Sequence, residues 1–235
     1  MTRAAKGYNR LAPYYASLEY LVFGTALVQA RTALLDDLPK LETALILGEG
    51  DGRFLHTFLQ KQPDCRVTCV EQSDQMVRRA RARLEPVQAE RVTFLVQDAL
   101  IFTPDSNAYD AVITLFFLDC FTEDKLRYLI PKLADGLRPG GVWYYVDFQV
   151  PERGWRRVRG WVMLEAMHTF FRLTTGLEPR QLADPKPLFR ENGLVLKRQR
   201  NLNFGLLNAQ LYKRSRRINF KDKGGSSLPI HPSRL

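Results

Sequence analysis

The residues best placed to do chemistry lie in ALILGEGDGRFL, Ala44 to Leu55, where an apolar run meets Gly48, Gly50 and Gly52 with Glu49 and Asp51 between them. Glycines at the carboxyl end of a strand let backbone amides approach a ligand closely, and doubly wound sheets bind ligands at that turn. A dinucleotide fingerprint would carry its third glycine at position 53, where Arg53 stands. Carboxylates at 49 and 51 would also repel phosphates. Two further acids echo the loop. Glu71 closes RVTCVE, 23 residues beyond Gly48, where an acid can accept two hydrogen bonds from a ribose diol. Asp98, followed by the small Ala99, suits an adenine amino group lying edge-on to the sheet. Taken singly, either acid is as readily a solvated residue at a strand end.

To bring these groups together the chain must fold as parallel strands joined by helices, and its pattern of β-rich runs alternating with helical ones argues for that arrangement. The predicted strands are 43–48, 66–72, 91–99, 109–118 and 142–148. Helices are expected over 53–62, over 73–86 behind a Ser73-Asp74 cap, and over 122–139 behind a capping Thr122. GLVLKRQRNLN and LLNAQLYKR read as an antiparallel hairpin closing the sheet edge. The expected fold is α/β, a doubly wound sheet of seven strands, parallel with one antiparallel edge strand, helices on both faces and a helical N-terminal cap. The cap takes residues 1–38, the main domain 39–215, and a basic tail of loop composition 216–235.

The glycine loop, Glu71, Asp98 and then LRPGG (137–141) before a fifth strand resemble, as an ensemble, the class I S-adenosylmethionine-dependent methyltransferases over roughly residues 40–150. The resemblance implies a Rossmann-like fold and S-adenosyl-L-methionine as cofactor. On that likeness Gly48, Glu49, Gly50 and Gly52 shape the methionine and ribose pocket. Glu71 and Gln72 meet the ribose, Asp98 and Ala99 meet the adenine, and Leu115 also touches the cofactor. Many members carry an acid two residues before the first glycine, whereas this chain has Ile46. Either Glu49 takes over that polar contact or the methionine end is held differently. The N-terminal YNRLAPYYASLEYLVFG is similar to the cap of ubiquinone/menaquinone-type C-methyltransferases, with Tyr8, Ala12 and Tyr15 at matching spacing and Arg31 eight residues past Phe23. That likeness puts Tyr15 and Arg31 on the cofactor carboxylate; the plain alternative is an aromatic face packed on the core. A cofactor with sulfonium and ammonium charges and no phosphate makes Glu49 and Asp51 acceptable neighbours.

Methyl transfer from a sulfonium is an in-line displacement in which the protein aligns the reactants, and a base is needed only for a protonated acceptor. In FFLDCFTED, Phe117 is expected to wall the acceptor site, and Asp119 either takes the acceptor's proton or caps the next helix. Cys120 reads as a buried structural thiol, and His56 and His168 as packing residues. A helix over 153–174 crowds Arg153, Arg156, Arg157 and Arg159 at its start, followed by Trp155 and Trp161. It can cover the acceptor with both tryptophans, rest on an anionic membrane surface, or pack its aromatics on the sheet.

Charge is uneven along the 235 residues: 17 basic against 19 acidic side chains up to position 150, and 18 against 6 beyond it. Such asymmetry fits an anionic partner, nucleic acid or lipid headgroups, as well as a solvated basic surface. No run has the length of a membrane span and no signal-peptide pattern opens the chain. Cys65, Cys69 and Cys120 lack disulfide and metal-ligand spacing, so a reducing, cytoplasmic setting is expected and no metal. The leading expectation is methyl transfer to a small or lipid-soluble acceptor, with peripheral contact at an anionic membrane. The alternatives are an RNA methyltransferase, using RRARARL and the basic hairpin on phosphates, and a non-catalytic cofactor-binding protein.

Overall fold

In the computed structural model, which describes residues 3–13, 15–151, 154–175 and 182–215, three short helices precede the sheet: α1 (Arg3–Leu11), α2 (Tyr15–Phe23) and α3 (Ala26–Thr32). The chain continues through β1 (Thr43–Leu47), α4 (Arg53–Lys61), β2 (Arg66–Glu71), α5 (Asp74–Arg83), α6 (Pro86–Ala89), β3 (Val92–Val96) and β4 (Tyr109–Leu115). It ends with α7 (Glu123–Gly136), β5 (Leu137–Phe148), α8 (Gly154–Thr175), α9 (Lys186–Glu191), β6 (Leu194–Leu202) and β7 (Leu207–Arg214). The seven strands form one sheet in the order β3-β2-β1-β4-β5-β7-β6, with β7 antiparallel to both neighbours.

The antiparallel strand thus lies one place in from the edge rather than at it. The residues explain the placement. Leu207 to Tyr212 of β7 are all buried, as an interior strand requires, while β6 is exposed from Val195 to Asn201 and carries Lys197, Arg198 and Arg200, side chains that protect an edge from further pairing. Between β2 and β4, β1 is buried on both faces from Ala44 to Leu47, the signature of a central parallel strand. Helices cover the two faces. Leu34, Phe54, Phe58 and Leu164 pack on one, and Leu126, Leu129 and Phe189 on the other.

Several boundaries move from their sequence positions for local reasons. Ser73 caps α5 as expected, its Oγ accepting from the Met76 amide at 3.1 Å. The helix stops at Arg83, because Leu84 and Glu85 are extended ahead of Pro86, which opens the separate α6. Thr122 stands at the N-cap of α7 but its side chain makes no cap bond. Strand β5 starts at Leu137, the register shift between Tyr109 and Ala111 absorbing the Pro139-Gly140 step. Strand β4 ends at Leu115 because Phe116 turns to φ +54°. The cap is tied down by Tyr144 of β5, whose hydroxyl donates to the Arg31 carbonyl at 2.9 Å and accepts from the Leu34 amide at 3.2 Å. The expected tail lies outside the described residues.

Candidate active site

Gly48, Gly50 and Gly52 all take positive φ, at 65°, 73° and 86°. At Gly52 a side chain would collide with the Ala80 backbone, 2.6 Å from the new Cβ, so this glycine lets α4 and α5 meet. At Gly50 nothing lies within 4 Å of where a Cβ would be, so the turn presents bare backbone to open space. The Gly50 amide is fixed by Glu71, donating to its Oε2 at 3.2 Å, while Oε1 accepts from the Ser73 amide at 2.9 Å. Burial at the end of β2 lifts the Glu71 carboxyl above the usual carboxylate range, and those amides pull it back. Gln72 follows, half-buried. Asp98 sits in the turn after β3: Oδ1 accepts from the Leu100 amide at 2.9 Å, and the other oxygen has no hydrogen bond among the described residues. Ala99 is buried beside it.

Leu115 and Ile46 line the cleft over the loop with Arg31, Glu49, Phe54 and Phe116. Glu49 has a structural duty, since its Oε1 accepts the Leu55 amide at 2.9 Å, the third residue of α4, doing from upstream what Gly52 at the N-cap cannot. Enclosure lifts its carboxyl to about 8, against the opposing pull of the Leu55 amide and the Arg31 charge.

Sequence reasoning missed what holds Arg31. Its guanidinium is gripped by both carboxylate oxygens of Glu19 in α2, and Glu19 also takes Arg53, which reaches Asp51 Oδ1 through Nε at 2.9 Å. A carboxylate of the chain itself therefore occupies Arg31, where the resemblance places the cofactor's. The pairing joins residues 12 and 34 apart across two packed helices, so no local spacing announces it. The side chains of Tyr8 and Tyr15 lie outside the described residues. The Phe117 ring packs on Gly48 where a Cβ would collide with it, so only glycine fits there. The space between Arg31, Glu49, Phe54 and Phe116 encloses about 40 Å³, room for a water.

Asp119 is buried in a one-turn 3₁₀ helix, Leu118–Cys120, and does not cap α7, whose N-cap is Thr122. Its amide donates to Asp147 Oδ2 at 3.1 Å. Asp147, fully buried on β5, is raised well above the usual carboxylate range by burial and by the neighbouring Asp119, so a proton is favoured there. The sequence signal for Asp147 was an acid inside the aromatic strand YYVDF. Neither aspartate lines the glycine cleft. Cys120 is half-exposed, not buried as expected, because it sits at the turn's surface with its thiol directed to Asp119 Oδ1 at 3.5 Å. Trp155 and Trp161 are 60% and 59% exposed on the outer side of α8 and are not brought to the cleft. Trp155 rests against Phe204, ring centroids 5.7 Å apart. His56 packs on Gln88 Oε1 at 3.0 Å. Arg153, His231 and the side chain of His168 lie outside the described residues.

Several of the arginines that could serve phosphates have partners within the chain. Arg78 pairs with Asp74 at 2.8 Å, Arg81 stacks on Phe94 at 5.0 Å, Arg83 reaches Asp51, and Arg198 and Arg200 face Asp37 at 3.7 and 3.8 Å. No described helix is long and apolar enough to cross a membrane.

Comparison with known proteins agrees with this geometry. Residues 44–141 match the family described as a methyltransferase domain. Carboxy-S-adenosyl-L-methionine synthase of Aeromonas salmonicida (strain A449) is 37% identical over 81 residues, 34% of this chain and 32% of that protein, so the likeness spans about a third of the curated relative. Among solved structures, the chain is similar to Burkholderia thailandensis 1,6-didemethyltoxoflavin-N1-methyltransferase bound to 1,6-didemethyltoxoflavin and S-adenosylhomocysteine, with TM-score 0.63 at 16% identity over 90% of this chain and 88% of that one. It is also similar to CalO1, a methyltransferase in calicheamicin biosynthesis, with TM-score 0.61 at 22% identity over 85% and 56% of the two chains. At such identities the structural likeness is one of fold.

Proposed function

We propose, from the premise that residues 44–141 are a class I S-adenosylmethionine-dependent methyltransferase domain, that the chain transfers a methyl group to a small organic acceptor. Gly50 carries the reading: left-handed backbone, open space above it, and an amide held by the acid that ends the next strand. That arrangement offers a ligand bare backbone and carboxylate oxygens side by side. When bound, S-adenosylmethionine supplies a methyl on positive sulfur, and the residues present suit it. Glu71 and Gln72 would hold the ribose hydroxyls, and the second oxygen of Asp98 the adenine amino group, with Ala99 and Leu115 against the ring. Glu49 would lie beside the cationic groups and Arg31 would exchange Glu19 for the cofactor carboxylate, with Tyr15 joining it by resemblance alone. Asp119, whose amide is held by Asp147, would serve as the base for a protonated acceptor and Phe117 as a wall, a reading carried by the sequence since neither lines either cavity.

Calorimetric titration with S-adenosylmethionine and S-adenosylhomocysteine tests the reading. Gly50→Val and Asp98→Ala should weaken binding at least tenfold, while Cys120→Ser should leave it unchanged. Absence of binding to the unaltered chain would overturn the assignment, whichever acceptor is tried.

The finer reading is that the acceptor is lipid-soluble and is met at an anionic bilayer, with the protein cytoplasmic and peripheral. It is supported by α8, where Trp155, Val158, Trp161 and Val162 are each more than half exposed, next to the exposed Arg156 and Arg157. A helix apolar on its outer as well as its inner face, with arginines beside it, has the makeup of an interfacial helix. The RNA reading is the weaker one, since several of the arginines it would use already face acidic partners, Arg78 at Asp74 and Arg198 and Arg200 at Asp37.

A further inference from the structure

A second, larger cavity lies at the same end of the sheet, beyond β5. It holds about 620 Å³ and is walled by Phe148, Val150, Pro151, Pro185 and Phe204, with Tyr145 and Asn208 among the polar groups at its surface. We infer that this cavity is the acceptor pocket and that Asn208 selects acceptors bearing an O–H or N–H donor, an inference that rests on the methyl-transfer reading above.

The volume is that of a site for a small ring compound, and the walls are aromatic and prolyl. Arg156, Asp184 and Lys186 also line it, and its most buried amide is Asn208, which is 2% exposed and stands opposite Asp147 in the β5–β7 register. The orientation of the Asn208 amide follows from its neighbours. The Gly205 carbonyl can only accept, and Gln149 Nε2 donates to it at 3.0 Å and to Asn201 Oδ1 at 3.0 Å. Gln149 must therefore present Oε1 to Asn208, whose Nδ2 donates to it at 2.8 Å. The chain of amides leaves Asn208 Oδ1 buried with no hydrogen-bond partner. Such an orphan is rare in a folded protein, and at the wall of a cavity it asks for a donor from a ligand. Tyr145 lines the same cavity, and no described residue shares a hydrogen bond with its hydroxyl, so a ligand oxygen can accept from it while donating to Asn208. A phenol-like group does both with one atom.

The cavity also adjoins the cofactor cleft. Phe148 lines the larger space and Phe116 the smaller, and their rings are 4.9 Å apart. The two spaces share no lining residue, so this pair of rings must part for an acceptor to reach a methyl group held in the cleft.

The test uses two probes, 4-fluorophenol and its methyl ether 4-fluoroanisole, which lacks the donor and carries one carbon more, followed by fluorine NMR on the full chain with S-adenosylhomocysteine present and absent. The phenol should bind at least tenfold more tightly than its methyl ether. Asn208→Leu should remove that preference, and Tyr145→Phe, which deletes one hydroxyl and leaves the packing intact, should reduce it, with S-adenosylhomocysteine affinity unchanged within threefold in both. Equal affinity for the two probes, no binding of either, or a preference that survives both substitutions overturns the inference. Because cofactor affinity is read separately, loss of this proposal and loss of the methyltransferase reading are told apart.

Discussion

The rings of Phe116 and Phe148 stand 4.9 Å apart, and each faces a different cavity. Phe148 belongs to a regular strand. Phe116 does not: its φ of +54° is a conformation that a bulky L-residue adopts only under constraint, here an amide bonded to the Val146 carbonyl at 2.7 Å and a ring beneath the Arg31 guanidinium at 5.1 Å.

That strain can be measured. At an ordinary strand position alanine is more stable than glycine by roughly 0.5–1 kcal/mol. At residue 116 the order should reverse, Phe116→Gly exceeding Phe116→Ala by about 1 kcal/mol in urea denaturation. The usual order would show that the left-handed turn is not held in solution.

Glu19 competes for the arginine that a cofactor carboxylate would use. Glu19→Gln should tighten S-adenosylhomocysteine binding several-fold, while unfolding free energy drops by about 2 kcal/mol as three charge-assisted bonds weaken. Arg31→Ala should move affinity the other way. Calorimetric titration paired with thermal melts reads both, and weaker binding in Glu19→Gln would mean that the cap must stay latched.

Glu49 makes stability depend on pH with a fixed sign. Its carboxyl goes from an ordinary value of 4.5 to about 8 on folding, so between those limits the folded chain holds a proton that the unfolded chain has released. Stability contributed by this group is complete below about 4.5 and declines as pH rises toward 8. Glu49→Gln keeps an acceptor for Leu55 and loses the titration, so its melting temperature relative to the parent should climb with pH across that window. A pH-independent difference would count against an enclosed carboxyl.

The outer face of α8 predicts binding to anionic vesicles. Co-sedimentation with phosphatidylglycerol vesicles should fall at least fivefold in Trp155→Ser/Trp161→Ser and with rising salt, while stability stays within about 1 kcal/mol because both rings are solvent-facing. Equal sedimentation of parent and variant would remove the membrane from the proposal.

What the sequence made legible followed from periodicity and punctuation. The apolar runs before Gly48, Glu71 and Leu115 could only be buried strands, and Ser73 announced its helix. The glycines at 48, 50 and 52 announced a turn with bare backbone. The groups that sequence reasoning missed are those whose partners come from distant elements: Glu19 across the cap, Asp147 beneath Asp119, and Asn208 opposite Asp147. Asp147 and Asn208 did leave a trace, as polar residues interrupting YYVDF and LLNAQL, where a buried position demands a partner. Trp155 and Trp161 went the other way, because residue type suggested a pocket and the helix's rotation turned both outward.

The placement of β7 has a consequence for synthesis. Strand β5 carries the apolar and aromatic run Val142 to Val146, and its free edge stays open until Leu207 to Arg214 have left the ribosome and inserted between it and β6. During that interval the nascent chain exposes a long unpaired hydrophobic edge, the feature most prone to pair with another molecule. Truncation within the last hairpin should therefore send the protein into inclusion bodies rather than yield a soluble, merely inactive domain.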